Sequence, residues 1–405
     1  MLAAVTPPHD LNLAPPAPDL ARMRAERLAK LQAQLVAQDL GGAVLLHGPH
    51  VTYATGHVPD AVDASHAVHR RAVAIVPAEG TPRLHVHGDP GDVDSDVAAA
   101  LWPELDEDIG LLEVSIGEVL GHGTDRRFAV DSITGAMARA KVFGEATLSD
   151  ASRVLGPARI NKTADEIACI ERSQVETEIA MESAQVACVP GATRSEVAGA
   201  FLGAMRDQGA HHNEIDPIFQ VMPRHRDGGP RTANGDVAFP TGIENPTFAR
   251  GDLVWVDAGH AYEGYASDFG RTWIVGREPN EAEQECFERW AAIMDATKEA
   301  VKPGATLGDV GRAAIAANNG RRPWLPHFYV AHGVGLESAE MPMVGSDLGQ
   351  EFDDGYLLTE GMILVLEPVV WDDGVASYRA EEILVVARDG CRVLSSNPGY
   401  APFGS

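Results

Sequence analysis

The stretch Gly251-Asp-Leu-Val-Trp-Val-Asp257-Ala-Gly-His-Ala-Tyr-Glu-Gly-Tyr-Ala-Ser-Asp268-Phe-Gly-Arg-Thr-Trp273 decides how the rest of the chain is read. Leu253 to Ala258 and Tyr265 to Ile274 are β-rich runs flanking a glycine-containing turn, which predicts a hairpin. A turn centred between Tyr262 and Glu263 sets Asp257 directly opposite Asp268, with both on one face. Facing residues have Cβ atoms roughly 5 Å apart, and two like charges there repel unless something positive lies between them. A divalent metal would supply that charge.

The arrangement recurs in Gly361-Met-Ile-Leu-Val-Leu-Glu367-Pro-Val-Val-Trp371 and Ser377-Tyr-Arg379-Ala-Glu381-Glu-Ile-Leu-Val-Val386, joined through the turn-prone Asp372-Asp373-Gly374. Centring that turn on Gly374 pairs Glu367 with Glu381. Any one of these carboxylates, taken alone, reads equally well as the exposed end of a strand. Four of them among apolar strand residues would make a poor core. With His332 between the two hairpins, in Tyr329-Val-Ala-His332-Gly-Val-Gly-Leu-Glu337, they read as a metal site.

The chain has 405 residues, more than one core usually supports, so two domains are expected. Its formal charge of −27 opposes binding to nucleic acid or to an anionic membrane surface, and leaves metals and small cationic substrates open. Cys169, Cys188, Cys286 and Cys391 are scattered, with no C-x-x-C pair, which fits a reducing cytoplasm and not a zinc-thiolate site. Met1–Asp19 is Pro-rich, lacks a basic start and an apolar run, and reads as an extended arm and not a signal peptide. No run of about 18 apolar residues suggests a membrane span.

Leu20 to about Gln38 repeats apolar residues at helical spacing and stops at Gly41-Gly42. Strands are expected at Ala43–His47, Val73–Val76 and Arg83–Val86, and a helix around Val93 to Trp102, so residues 20–157 form a small α/β domain. His47, His57, His66, His69, His85 and His87 show no metal-ligand spacing and read as surface or loop residues, with a loop near His57 able to reach a partner subunit's active site. A break falls at Leu155-Gly156-Pro157, before a second domain at 158–405. There Thr163 and Glu166 form a capping-box signature opening a helix to about Val189. Pro190-Gly191 ends it, and a shorter helix runs from Ser195 to about Gly209. The same signals return after the first hairpin: a helix from Asn280 to about Val301, a stop at Pro303-Gly304, and a short helix from Leu307. Two such units, each with a carboxylate-bearing hairpin, suggest an internal pseudo-two-fold.

These motifs, V-D-x-G, S-D-x-x-R-T-W, H-G-x-G-L, G-M-x-x-x-x-E-P and R-x-E-[DE] in that order, resemble the creatinase, Xaa-Pro dipeptidase, aminopeptidase P and methionine aminopeptidase family. The resemblance covers nearly everything after the Pro-rich arm. It implies an α/β chain: a creatinase/prolidase-like N-terminal domain followed by a pita-bread catalytic domain. Carried over by position, it implies that Asp257 binds one metal, that Asp268 and Glu381 bridge, and that His332 and Glu367 bind the other. Such a set suits Mn(II), with Co(II), Fe(II) or Zn(II) as alternatives. Two such ions can hold a bridging hydroxide and polarise a carbonyl. Glu367 would shuttle the proton. Arg379, two residues before Glu381, either grips a substrate carboxylate or holds a metal ligand in place. A homodimer acting on a dipeptide or other small molecule is also implied.

Two departures stand out. Ala339 occupies the place of a second histidine in H-G-x-G-L-x-x-H-E, and no histidine occurs between His225 and Asp257, where the peptidases carry one near Ala238-Phe239-Pro240-Thr241. Both histidines normally bind the scissile peptide; His225 or His327 would have to substitute. A hydrolase of a small dipeptide-like or Xaa-Pro-like amide is therefore weighed against a non-peptidase enzyme on the same scaffold. That second enzyme would be like the metal-dependent dimethylsulfoniopropionate lyase, with Glu337 or Glu340 in place of the acidic residue that Ser338 replaces, or like creatinase. A binding module is the third reading. Gly333 and Gly335 read as places of close backbone approach, and Glu351-Phe-Asp-Asp354 as a solvated loop.

Overall fold

The computed structural model describes residues 17–58, 72–123, 125–210, 213–226 and 245–395. The Pro-rich arm up to Pro16, the loop following His57 from residue 59 (with His66 and His69), and Ala238–Thr241 lie outside them. The chain divides into two compact units, Pro18–Asp165 and the residues from Glu166 onward.

In the first unit the Asp19 side chain caps α1 (Leu20–Ala37) by accepting from the Arg22 N–H, and Met23, Leu31 and Leu35 form its buried stripe. Then follow β1 (Gly42–Leu45), α2 (Gly48–Thr55), β2 (Val73–Pro77), β3 (Arg83–His85), β4 (Asp96–Ala98), α3 (Asp106–Leu120), β5 (Arg127–Val130), α4 (Gly135–Ala140), β6 (Thr147–Asp150) and α5 (Ser152–Arg159). The strands make one sheet in the order β4-β3-β2-β1-β5-β6. Ile109, Leu112 and Ile116 of α3 pack on Val44, Val73 and Ile75 of the sheet.

Three expectations fail here, each because of a partner from elsewhere in the chain. The helix expected at Val93–Trp102 is strand β4, which pairs in parallel with β3, and the helix begins only at Asp106. Pairing to an open sheet edge outweighs the helix propensity of Ala98-Ala99-Ala100. The break expected at Leu155-Gly156-Pro157 lies inside α5. Pro157 has no N–H for the carbonyl one turn earlier, and that carbonyl, on Arg153, instead accepts from the Gln38 side-chain amide at 2.6 Å. His85 is buried, with Nδ1 2.8 Å from the Ala99 carbonyl and Nε2 2.7 Å from Ser115 Oγ, and burial pushes its pKa below the usual histidine value. His57 is buried too, its Nδ1 donating to the Pro90 carbonyl at 2.9 Å.

The second unit has α6 (Ala164–Ala187), α7 (Arg194–Asp207), β7 (Asn213–Val221), β8 (Leu253–Tyr262), β9 (Tyr265–Ala266) and β10 (Phe269–Ile274) as its first half. The second half has α8 (Glu281–Ala300), α9 (Leu307–Ala317), β11 (Ala331–Gly333), β12 (Glu340–Val344), α10 (Gln350–Gly355), β13 (Ile363–Leu366), β14 (Val369–Asp372), β15 (Ala376–Arg379), β16 (Glu382–Ala387) and β17 (Gly390–Val393). The sheets run β10-β8-β7 with β9 on β8, β12-β11-β13-β16-β17, and β14-β15.

The two halves repeat each other in their helix starts and in the bonds that anchor them. Thr193 with Glu196, and Thr306 with Asp309, form capping boxes at the starts of α7 and α9. Gly191 N–H donates to Phe248 O as Gly304 N–H does to Leu358 O; Gly251 N–H donates to Val275 O as Gly361 N–H does to Val386 O. This is the pseudo-two-fold of a pita-bread fold. The acidic run at Glu351 is not a loop but the start of α10, where Asp353 is buried and accepts from the Gly345 N–H, and Asp354 meets Arg312.

In the first unit Asp131 ties the ends of β1 and β5 by accepting from Leu46 N (2.9 Å), His47 N (3.0 Å) and His50 Nδ1 (2.9 Å). Burial alone would raise its pKa, but the bonds from His50 and the two amides outweigh that and hold it below the usual value. Such a group contributes stability above the unfolded pKa, and the contribution is lost as pH falls through the lower folded pKa. Asp131→Ala should therefore cost about 1–3 kcal/mol at pH 7. The gap to wild type should close below about pH 4 in urea unfolding curves; a gap that is constant with pH would show that the carboxylate's charge is not involved.

Candidate metal centre

The first hairpin turns at Glu263-Gly264, whose φ values of 53° and 82° belong to a two-residue type I′ turn. Tyr262 pairs with Tyr265, so the turn lies one residue later than expected, and Asp257 faces Gly270, not Asp268. Because side chains alternate with period two, Asp268, two residues before Gly270, keeps the face shared with Asp257. Ser267 and Asp268 lie between β9 and β10, where the Asp268 N–H donates to Gln174 Oε1 of α6 at 3.3 Å. In the second hairpin Asp372 pairs with Ala376, and the same register continues from Val369 with Arg379 to Leu366 with Glu382. Glu367 and Glu381 sit in the gap between those ladders, facing as the centred turn predicts.

Bonds that belong to neither ladder stitch the hairpins together. Glu381 N–H donates to Gly270 O (2.9 Å), Arg271 Nη1 to Glu381 O (2.7 Å) and Arg379 N–H to Thr272 Oγ1 (3.1 Å), while Thr272 Oγ1 donates to Arg379 O (2.7 Å). Gly270 is required here: a Cβ would stand 2.5 Å from Glu381 Cδ. A register shift between His332 and Gly333 bends β11. His332 Nδ1 donates to its neighbour's carbonyl at 2.9 Å, so the Nε2 lone pair faces Asp268 Oδ2 (3.3 Å) and Glu367 Oε1 (3.5 Å).

Asp257, Asp268 and Glu381 each offer a carboxylate oxygen within 4.8 Å of the others. Arg379 lies among them, with Nη1 3.2 Å from Asp257 Oδ2 and Nη2 2.6 Å from Glu367 Oε2 and in contact with Glu381. Arg379 thus contacts three acidic side chains at once, Asp257, Glu367 and Glu381. Burial, then the neighbouring carboxylates, push Asp268 and Glu381 well above the ordinary range, and Glu367 is raised chiefly by burial. Burial opposes the charge of Arg379, yet Glu381, Glu367 and Asp257 hold its pKa well above normal. One guanidinium does not balance four carboxylates. Asp257 Oδ1, Asp268 Oδ1 and Glu381 Oε2 are buried with no hydrogen-bond partner among the described residues. Hard oxygen donors left unmet around an imidazole lone pair are what a divalent cation requires.

The other candidates are elsewhere. His225 is exposed against the turn at Gly374, where the Gly374 N–H donates to Arg224 O. His327 is exposed and pairs with Asp347 at 2.7 Å. Ala339 is exposed. Two residues went unread in the sequence. Tyr329 sets its ring 5.0 Å from that of His332, and burial followed by Glu367 and Asp268 raises its pKa. Gln174 had one visible sign, in that Gln174, Glu176 and Thr177 put polar groups on the buried face of α6.

The profile of Metallopeptidase family M24 matches residues 168–388. The chain belongs to metallopeptidase family M24. Among relatives, the Xaa-Pro dipeptidase of Pyrococcus furiosus is 30% identical over 245 residues, 60% of this chain and 65% of the relative. That stretch spans just under two thirds of the relative's own length. The probable dipeptidase PepE of Mycobacterium tuberculosis is 26% identical over 93% of this chain and 96% of its own. In structure the M24 chain is similar to the dipeptidase PepE of Mycobacterium ulcerans, with a TM-score of 0.72 at 24% identity, covering 95% and 98% of the two chains. The prolidase of Pyrococcus horikoshii gives 0.71 at 22%, covering 93% and 99%. These structures share the pita-bread fold, and the family is metal-dependent.

Replacing Arg379 with Met strips the carboxylates of their one internal cation. Without metal the variant should lose on the order of 3–5 kcal/mol, as buried ion pairs do when one partner is removed. Saturating Mn(II) should recover part of that through binding to the folded state. Calorimetry of both proteins with and without Mn(II) measures this; equal losses in the two conditions would show that a cation does not stand in for the guanidinium.

Proposed function

We propose that this chain is a metal-dependent hydrolase that cleaves a small, dipeptide-like or Xaa-Pro-like amide. The reading is carried by the buried Asp268, Glu367, Glu381 and His332 with the half-buried Asp257, a set in which three carboxylate oxygens have no hydrogen-bond partner among the described residues. Asp257 would hold one divalent ion, His332 and Glu367 the other, with Asp268 and Glu381 between them. Bound there, divalent ions would lower the pKa of a coordinated water and polarise the scissile carbonyl. The hard donor set favours Mn(II).

Arg379 fixes Glu367 through Oε2, which leaves Oε1, on the side of His332, to accept the water's proton and return it to the leaving amine. The same guanidinium steadies Asp257 and Glu381. His332 keeps its tautomer through Gly333, and Gln174 holds the Asp268 backbone. A second reading, a lyase in which an acidic residue removes a carbon-bound proton, rests on Glu340, whose carboxylate packs against Gly335 in the loop after His332. Free thiols at all four cysteines fit a cytoplasmic setting, and no helix among the described residues is long and apolar enough to cross a membrane. We take the working form to be a homodimer, as the family resemblance implies.

Wild type should bind two Mn(II) per chain, and Asp268→Ala should lose both together with all turnover, as metal analysis will show. Full occupancy in that variant would end the two-ion scheme. Against Xaa-Pro dipeptides kcat/KM should stay below about 10⁴ M⁻¹s⁻¹, because an absent oxyanion donor typically costs on the order of 100-fold or more. Faster turnover would mean that other groups have replaced the two histidines, and acrylate release from dimethylsulfoniopropionate would select the lyase. Light scattering at low micromolar concentration should give a dimer, and a monomer there would remove that part of the proposal.

A further inference from the structure

The carboxylate cluster has an apolar wall with one unmet polar atom in it. Trp255 precedes Asp257 by two residues on β8, so strand alternation places both side chains on one face. It is 4% exposed and packs with Ile218, Met222, Leu253, Ile274, Val369 and Trp371. The Arg379 guanidinium carbon stands 4.6 Å from its ring centroid, so the indole lies directly beside the acids that Arg379 grips.

Its Nε1–H is buried and has no acceptor among the described residues. Other buried tryptophans are satisfied: Trp290 donates to Pro368 O at 2.8 Å, Trp324 to Gly345 O at 3.1 Å and Trp371 to Pro223 O at 3.2 Å. A buried donor without a partner destabilises the fold, and phenylalanine would fill the same wall without that penalty.

We propose that the Trp255 indole N–H is a substrate-binding donor, taking a carbonyl or carboxylate oxygen of a compact, partly apolar ligand whose reacting amide lies at the acidic cluster. The ligand class rests on the hydrolase reading above. Both Nη atoms of Arg379 hold carboxylates, so its charge is already committed to the acidic cluster. Ala339 removes one amide-binding histidine of the peptidases, and no histidine stands between His225 and Asp257 to supply the other. Trp255 offers a neutral donor on the Asp257 face. The apolar residues around it suit a small hydrocarbon ring or side chain next to the accepted oxygen.

The test uses the full chain labelled with ¹⁵N-tryptophan, with the Trp255 indole signal assigned by its loss in Trp255→Phe. Metal-free and Mn(II)-loaded protein are titrated with L-alanyl-L-proline, N-acetyl-L-proline, L-proline and L-prolinamide. The assigned N–H should shift downfield and saturate with at least one of them. A shift with the acid but not the amide assigns the oxygen to a carboxylate, and a shift with both assigns it to a carbonyl. Trp255→Phe should keep wild-type metal content and thermal midpoint while losing at least about fivefold in kcat/KM on any amide that wild type hydrolyses. An indole signal unmoved by all four compounds overturns the proposal, as does a fully active Trp255→Phe. Hydrolysis with an unmoved indole leaves the hydrolase reading standing alone. A shifted indole without hydrolysis of any amide leaves the donor standing and removes the hydrolase.

Discussion

Mutual repulsion among four clustered carboxylates, three of them buried, is the constraint on which this structure turns. Two unit charges at 4 Å interact by about 4 kcal/mol even at an effective dielectric constant of 20, and Asp257, Asp268 and Glu381 bring oxygens to about that separation. Nothing about the acids themselves keeps them together. What does is the backbone: the stitches among Gly270, Arg271, Thr272, Arg379 and Glu381 join the hairpins without strand pairing, and α6 holds Asp268 through Gln174. The side chains inherit positions they would not choose, and the single guanidinium of Arg379 relieves only part of the repulsion.

The same logic explains why the remaining polar atoms are distributed as they are. Each of three acids spends one oxygen on a protein contact and leaves another bare, while His332 presents a lone pair because its other nitrogen is already a donor. A cluster built to be a stable ion-pair network would satisfy both oxygens. Here stability is surrendered at one spot and recovered in the surrounding structure, where Trp290 stacks on Phe287 and packs at a tilt against Tyr378, and the α6–α7 pair covers Phe219, Val254 and Val256.

The fold and its acids were legible in the sequence because they depend on parity. In the first hairpin the turn lies one residue later than the sequence suggests, yet Asp257 and Asp268 still share a face, since displacing a turn by one residue moves the facing partner by two. The Gly374 turn gave its register directly. The Thr163–Glu166 signature and the Pro-Gly stops at 190–191 and 303–304 put the helix starts within a residue of Ala164, Arg194, Glu281 and Leu307. The misreadings involve partners distant in sequence. β4 is a strand only because the edge of β3 is open to it, α5 tolerates Pro157 only because Gln38 serves the freed carbonyl, and His85 is buried by Ala99 and Ser115. Arg379 was left open between two roles because spacing gives a face but not a partner.

Gly270 bears on how such a site can arise from two similar halves. It faces the inward acid of its hairpin, Asp257, just as Glu381 faces Glu367 in the other, so glycine and glutamate occupy corresponding places in the two repeats. The space left by the missing side chain of the one is filled by the carboxylate of the other. Two identical copies would present either two glutamates to one volume or none. Two halves alike at this position could not bring the paired acids together. The approximate symmetry of the backbone is compatible with the site only because the symmetry of the sequence is broken there.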